Sequence, residues 1–145
     1  MTSPFLPTEV TEQVGVIDPQ SDTSTVRSTG WIKADSYESY LAQIVVGAMT
    51  ATGTIDAKIE QANTSGGGGV KDVTGKALTQ VLAASGGSKS YAINVRPSDL
   101  DTANSFFWFR LTITPTTAAS LLMGQILGID PKRRPVPQTN WTQVK

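Results

Sequence analysis

Residues 105–114 read SFFWFRLTIT. The stretch alternates. Phe107, Phe109, Leu111 and Ile113 fall on one side of an extended chain, while Phe106, Trp108, Arg110 and Thr112 fall on the other. Aromatic and β-branched side chains suit a pleated, half-buried surface. The pattern predicts a strand whose 107/109/111/113 face lines a core. Phe106 and Trp108 predict that the second face is covered too, at least at one end.

Working outward, the same period of two recurs. In residues 54–61, Ile55, Ala57 and Ile59 alternate with Thr54, Asp56, Lys58 and Glu60; in 90–96, Tyr91, Ile93 and Val95 share a side. Residues 41–52 (LAQIVVGAMTAT) are long enough for a helix, but Ile44, Val45, Val46 and Gly47 favour a buried strand. Gly53 breaks the chain after it, so 41–52 and 54–61 read as a hairpin or a tight corner. Residues 25–32 are rich in Thr and β-branched residues. A short strand is predicted at 77–82 and a last one over 118–128, where a helix at 116–125 competes because Ala and Leu are good helix formers. The glycine run in 63–71 and the residues 85–88 and 97–101 read as loops and turns.

The predicted fold class is all-β: a single antiparallel β-sandwich or barrel of about seven short strands, over residues 23–130. Residues 1–22 are punctuated by Pro4, Pro7 and Pro19 and show no sustained period. They read either as an extended arm that docks on a partner through Phe5, Leu6 and Val10, or as a first edge strand at Val14–Ile17. Residues 131–145 read as a second, Pro-rich arm with Arg133, Arg134 and Trp141 as partner contacts.

Composition narrows the chemistry. The 145 residues carry 12 Lys+Arg against 12 Asp+Glu, with no His and no Cys. Zero net charge gives no global pull on nucleic acid or anionic membrane. Without Cys or His there is no disulfide framework, no thiolate nucleophile, no zinc site of the usual kind and no imidazole base. The expectation is a non-enzymatic protein with no cofactor, no metal, no nucleic-acid partner and no membrane span. The start of the chain, MTSPFLPTEV, lacks the basic and apolar regions of a signal peptide, so synthesis in a cytoplasm is expected.

Each chemical motif has a plainer reading. GGGGVKDVTGK, at 66–76, resembles a phosphate loop only in composition: Val70 stands where the first glycine belongs, and Ala77 follows Lys76 where a hydroxyl is needed. Asp99 and Asp101 lack a calcium-loop ligand series and fit a turn, and Asp56 and Asp72 stand apart from them. Lys132, Arg133 and Arg134 are the basic cluster, three residues between prolines. The sequons at Asn63 and Asn140 are chance matches without a secretory signal. Trp31, Trp108 and Phe106, Phe107 and Phe109 suit a core better than a sugar-binding platform.

Three stretches carry a resemblance: TGWI at 29–32, VGA to TIDAKIEQA at 46–62, and KDVTGKALTQ at 71–80. With NVR at 94–96, FRL at 109–111 and LGIDP at 127–131, the chain resembles small virion proteins encoded near the capsid genes of tailed bacteriophages. The resemblance spans about residues 29–131. It implies a structural role: decorating or cementing the capsid exterior by bridging subunits, with the phage major capsid protein and other copies of itself, such as a trimer, as partners. A neck or tail component is the alternative within that class. A carbohydrate-binding β-sandwich module is the alternative outside it.

Overall fold

A computed structural model of the protein describes residues 4–133. A helical turn, α1 (Pro7–Val10), leads into β1 (Thr11–Asp22). Then come β2 (Arg27–Ser28), β3 (Ile32–Lys33), β4 (Tyr37–Met49), β5 (Thr54–Ala62), β6 (Lys71–Ala77), β7 (Val81–Leu82), the turn α2 (Ala83–Gly86), β8 (Lys89–Val95), β9 (Trp108–Thr116) and β10 (Ser120–Pro131). Among the described residues no helix is long and apolar enough to cross a membrane.

Two antiparallel sheets face each other. The first has the order β1-β10-β4-β8 and the second β2-β9-β5-β6, with β3 also on β9 and β7 also on β5. Strands β2 and β3 lie end to end along β9, through Ser28↔Thr112 and Ile32↔Phe109. β6 and β7 likewise share β5. Merging each pair leaves eight ribbons, in sheet orders 1-8-3-6 and 2-7-4-5. The chain changes sheet at nearly every connection, so first and last ribbons pair, as do the second and the seventh. That is jelly-roll topology, a solution that wraps two sheets around one core.

The core follows from the alternation. On β4, Tyr40, Ala42, Ile44 and Val46 are buried; on β5, Ile55, Ala57 and Ile59; on β9, Phe109, Leu111 and Ile113. Each such large side chain contributes roughly 1.5–3 kcal/mol by leaving water. Aromatic rings fill one end, where Tyr40 meets Phe109 edge-on at 4.8 Å between centroids and Tyr37 at 5.7 Å. Gly128 makes room there: a Cβ on it would lie 2.6 Å from the Tyr37 ring.

Several expectations change. From Thr11 on, the stretch read as an arm is an edge strand paired with β10, the second of the two readings. Its register shifts between Gln13 and Gly15 and between Ile17 and Gln20, and these bulges erase the period of two. Pro19 sits in the second shift, where no ladder donor is needed. Residues 41–61 form a corner between sheets, since β4 and β5 do not pair with each other. The strand expected at 77–82 is two pieces, β6 beginning at Lys71 and β7 at Val81. β9 begins at Trp108, so Phe107 lies outside it and is 44% exposed. Residues 116–125 are not helical: 117–119 bend between β9 and β10, with Thr117 at a φ of 74°, and from Ser120 on β10 is extended and pairs on both sides. Ten strand segments replace about seven. Arg134 and Trp141 lie outside the described residues.

Candidate interaction surfaces

A cleft of about 820 Å³ opens at the end of the sandwich where β1, β3 and β4 meet the end of β10. The register puts Thr11 beside Ile129 and Pro131 beside Tyr37, so both ends of the described chain reach this pole. The Tyr37 hydroxyl donates to the Glu12 carboxylate, and burial together with that carboxylate raises the Tyr37 pKa. The Tyr40 hydroxyl donates to the Lys33 carbonyl at 3.3 Å, and burial pushes its pKa up to about 12. Both phenols therefore stay neutral near pH 7 and line the cleft as hydrogen-bonding groups. The Lys132 N–H donates to the Ser36 carbonyl at 3.0 Å, which ties the end of β10 to the β3–β4 turn.

Of the partner contacts expected from sequence, four can be placed. α1 enters β1 at this pole, with Phe5 and Leu6 exposed at 38% and 48% and Val10 half-buried. The Leu6 N–H donates to Glu9 Oε2 at 2.9 Å, a cap that holds this turn. Arg133 is exposed and lines the cleft.

The two outer sheet faces differ in kind. On the second sheet, Glu60 accepts from Arg110 Nε and Nη2 at 2.8 Å each and from Thr112 Oγ1 at 2.9 Å, and Lys58 lies 3.4 Å away. Burial alone would raise the Glu60 pKa; these partners overcome it and hold the carboxyl below its ordinary value. Arg110 lies 4.5 Å from the Trp31 ring centroid. Gly67 covers the edge of that indole. Its φ of +85° and the 2.7 Å from a Cβ to Trp31 Nε1 both demand glycine. The loop closes on itself through Asn63 N–H to the Gly68 carbonyl at 3.0 Å and Gly68 N–H to Thr64 Oγ1 at 2.8 Å. It is a packed lid on Trp31 and not an open phosphate cradle, and the strand β6 follows it.

The first sheet has the opposite character. The positions that alternate with its buried residues are Leu121, Met123, Gln125, Leu127 and Ile129 on β10, and Ser39, Leu41, Gln43, Val45 and Gly47 on β4. Ser90, Ala92 and Asn94 on β8 and Thr11, Gln13 and Val16 on β1 extend the face. None of these positions is ionisable; Asp18, exposed in the second bulge of β1 opposite Met123, is a charge at the edge of the face. Cross-strand pairs are Leu127↔Leu41, Gln125↔Gln43 and Met123↔Val45. Gln13 Nε2 donates to Gln125 Oε1, and Gln125 Nε2 to Gln43 Oε1, both at 2.8 Å. This glutamine ladder was not singled out from sequence; its signal was the uncharged alternate positions of 39–47 and 121–129.

The aspartates weighed as catalytic pairs are dispersed. Asp56 accepts from Gln80 and Asp72 from Lys58. Asp99 accepts from the Arg96 N–H at 2.7 Å and pairs with Lys76, and Asp101 pairs with Lys71. Among the described residues no three acidic side chains gather in a way that could hold a metal ion.

No protein-family model matches the chain, and none of the curated proteins matches it significantly. Among solved structures it is similar to a chain of Broad Bean Stain Virus, with a TM-score of 0.44 and 12% identity over 100% of this chain and 96% of that one. A chain of Desmodium yellow mottle tymovirus gives 0.39 and 14% over 97% and 99%, and one of the infectious bursal disease virus Gt strain gives 0.28 and 11% over 84% and 42%.

Proposed function

We propose that the chain is a structural protein of a virus particle, one that decorates or cements the outside of a tailed-bacteriophage capsid by bridging its subunits. The observation that carries this reading is the strand order of the two sheets. The jelly roll is an architecture of viral capsid and lectin domains, and its closed double sheet presents broad faces to neighbours. The likeness of residues 29–131 to virion proteins encoded beside capsid genes points the same way. The exposed Phe5, Leu6 and Arg133 at one pole offer contacts to the major capsid protein. Repeated over a shell, weak contacts of this size add up by avidity.

Lectins share the architecture, so the carbohydrate-binding module is the competing reading. It needs a platform of free aromatic rings, and of those weighed for it Trp31 is engaged by Arg110 on its face and by Gly67 at its edge, Phe106 lies under Lys71 Nζ at 4.0 Å, Trp108 is half-buried and Phe109 is buried, which leaves Phe107 as the one exposed ring among them.

Co-sedimentation tests the proposal. The full chain, mixed with undecorated capsids, is expected to pellet with them in many copies per particle. Label confined to a single vertex would identify a neck or tail component instead. Failure to bind particles, together with retention on a polysaccharide column, would overturn the proposal in favour of the sugar-binding module.

A further inference from the structure

The outer face of the first sheet, uncharged along β10 and β4, is patterned to match itself. On β10, Gln125 is flanked by Met123 and Leu127; on β4, its neighbour Gln43 is flanked by Val45 and Leu41. Apolar, amide, apolar reads the same in both directions. A second copy turned by 180° about an axis between these strands therefore sets apolar against apolar and amide against amide. We propose that this face is the interface between two copies of the chain, packed sheet to sheet about a twofold axis passing beside Gln125 and Gln43.

Three physical arguments support a second copy as the occupant. First, β10 and β4 carry no ionisable group at these positions and Asp18 lies out at the β1 edge, so no like charges meet at the axis, as they would if the Asp56–Lys58–Glu60 face met itself. Second, the amides on the face are already bonded to one another through the ladder, so excluding water from them leaves fewer polar groups unsatisfied. Third, the size suffices. Four strands about 4.8 Å apart and nine residues at about 3.4 Å each give a footprint of about 19 by 30 Å. Pairing two such faces covers on the order of 1,100 Å², above the roughly 1,000 Å² that a specific interface requires. Aligned sheet packing about 10 Å apart is the geometry the fold already uses internally. The inference stands independently of any role in a virus particle.

The test is the mass of the full chain in solution, by sedimentation equilibrium at tens of micromolar. The expected mass is twice 15.4 kDa. Gln125→Lys places two ammonium groups beside the axis and is expected to weaken pairing by about a hundredfold or more. Thr114→Lys, on the outer face of the other sheet, is expected to leave the dimer intact. A second readout adds no charge. The chain has no cysteine, so Gln125→Cys carries a unique thiol, and a bismaleimide spanning about 10 Å is expected to link it into dimers. Thr114→Cys is expected to remain unlinked. A monomeric or trimeric wild type overturns the proposal. So does a dimer that Gln125→Lys leaves intact and that Gln125→Cys fails to cross-link. A monomer whose Gln125→Lys variant no longer binds capsids also overturns it, and assigns the face to the shell.

Discussion

Two phenylalanines two residues apart show how local the decisive chemistry is. Phe109 is fully buried against Tyr40, while Phe107 precedes the strand and is 44% exposed. Phe109→Ala is expected to cost about 3–5 kcal/mol, from lost transfer energy and the cavity left behind. Phe107→Ala is expected to stay within about 0.5 kcal/mol. Urea denaturation of both variants checks the pair; equal midpoints would refute the assignment of faces. Glu60 makes a residue-scale prediction in pH. Its carboxyl is held below the ordinary 4.5 in the folded chain. The stability it contributes is therefore present above the unfolded value and is lost as pH falls through the lower folded value. The melting midpoint is expected to hold between about pH 7 and 5 and to drop below about pH 4.5. Glu60→Gln is expected to melt lower at neutral pH and to show a shallower acid decline. An unchanged decline would exclude Glu60 as a contributor. Asp22, whose carboxyl Arg27 holds down in a two-bond fork, declines in the same direction and keeps the variant from being flat.

At the scale of elements, β1 is the test of what belongs to the fold. It pairs along β10 from Thr11 to Asp22 and buries Ile17. Removing residues 1–10 is expected to leave the melting midpoint nearly unchanged. Removing residues 1–22 strips β10 of one of its two ladders and exposes the edge of the core, so loss of the cooperative transition is expected. A cooperative transition in the longer truncation would show that β1 is dispensable. The strands legible in sequence were those that keep a strict period of two: β5, β8 and most of β9. β1 was ambiguous because two bulges shift its faces, and β6 because Gly75 and Thr74 imitate a turn. The start of β9 was misplaced because Phe106 and Phe107 continue the aromatic pattern into the loop before it. The glutamine ladder is hidden for a different reason: the uncharged alternate positions mark the face, but the pairing depends on register between residues 82 and 112 positions apart, which no local pattern encodes.

At the scale of the whole molecule the two outer faces are chemically different. One carries the Glu60–Arg110–Lys58 network under Trp31, and the other is uncharged along its central strands β10 and β4, with Asp18 at its β1 edge. The pole where Lys132 and Arg133 stand beside Glu12 and Asp35 is a third surface. Salt separates their roles. Screening shortens the Debye length from about 10 Å at 0.1 M to 3 Å at 1 M, so the proposed attachment to a shell, if Lys132 and Arg133 carry it, is expected to weaken steeply over that range. Pairing through the uncharged central strands has no ion pair to screen. Its dissociation constant is expected to change by less than about threefold, and sulfate is expected to tighten it by favouring apolar burial. A sedimentation series in chloride and then in sulfate reads both behaviours on the same protein. A pairing constant that weakens tenfold or more in chloride would mean that charged side chains, and not the Leu127–Gln125–Met123 stripe, hold the two copies together.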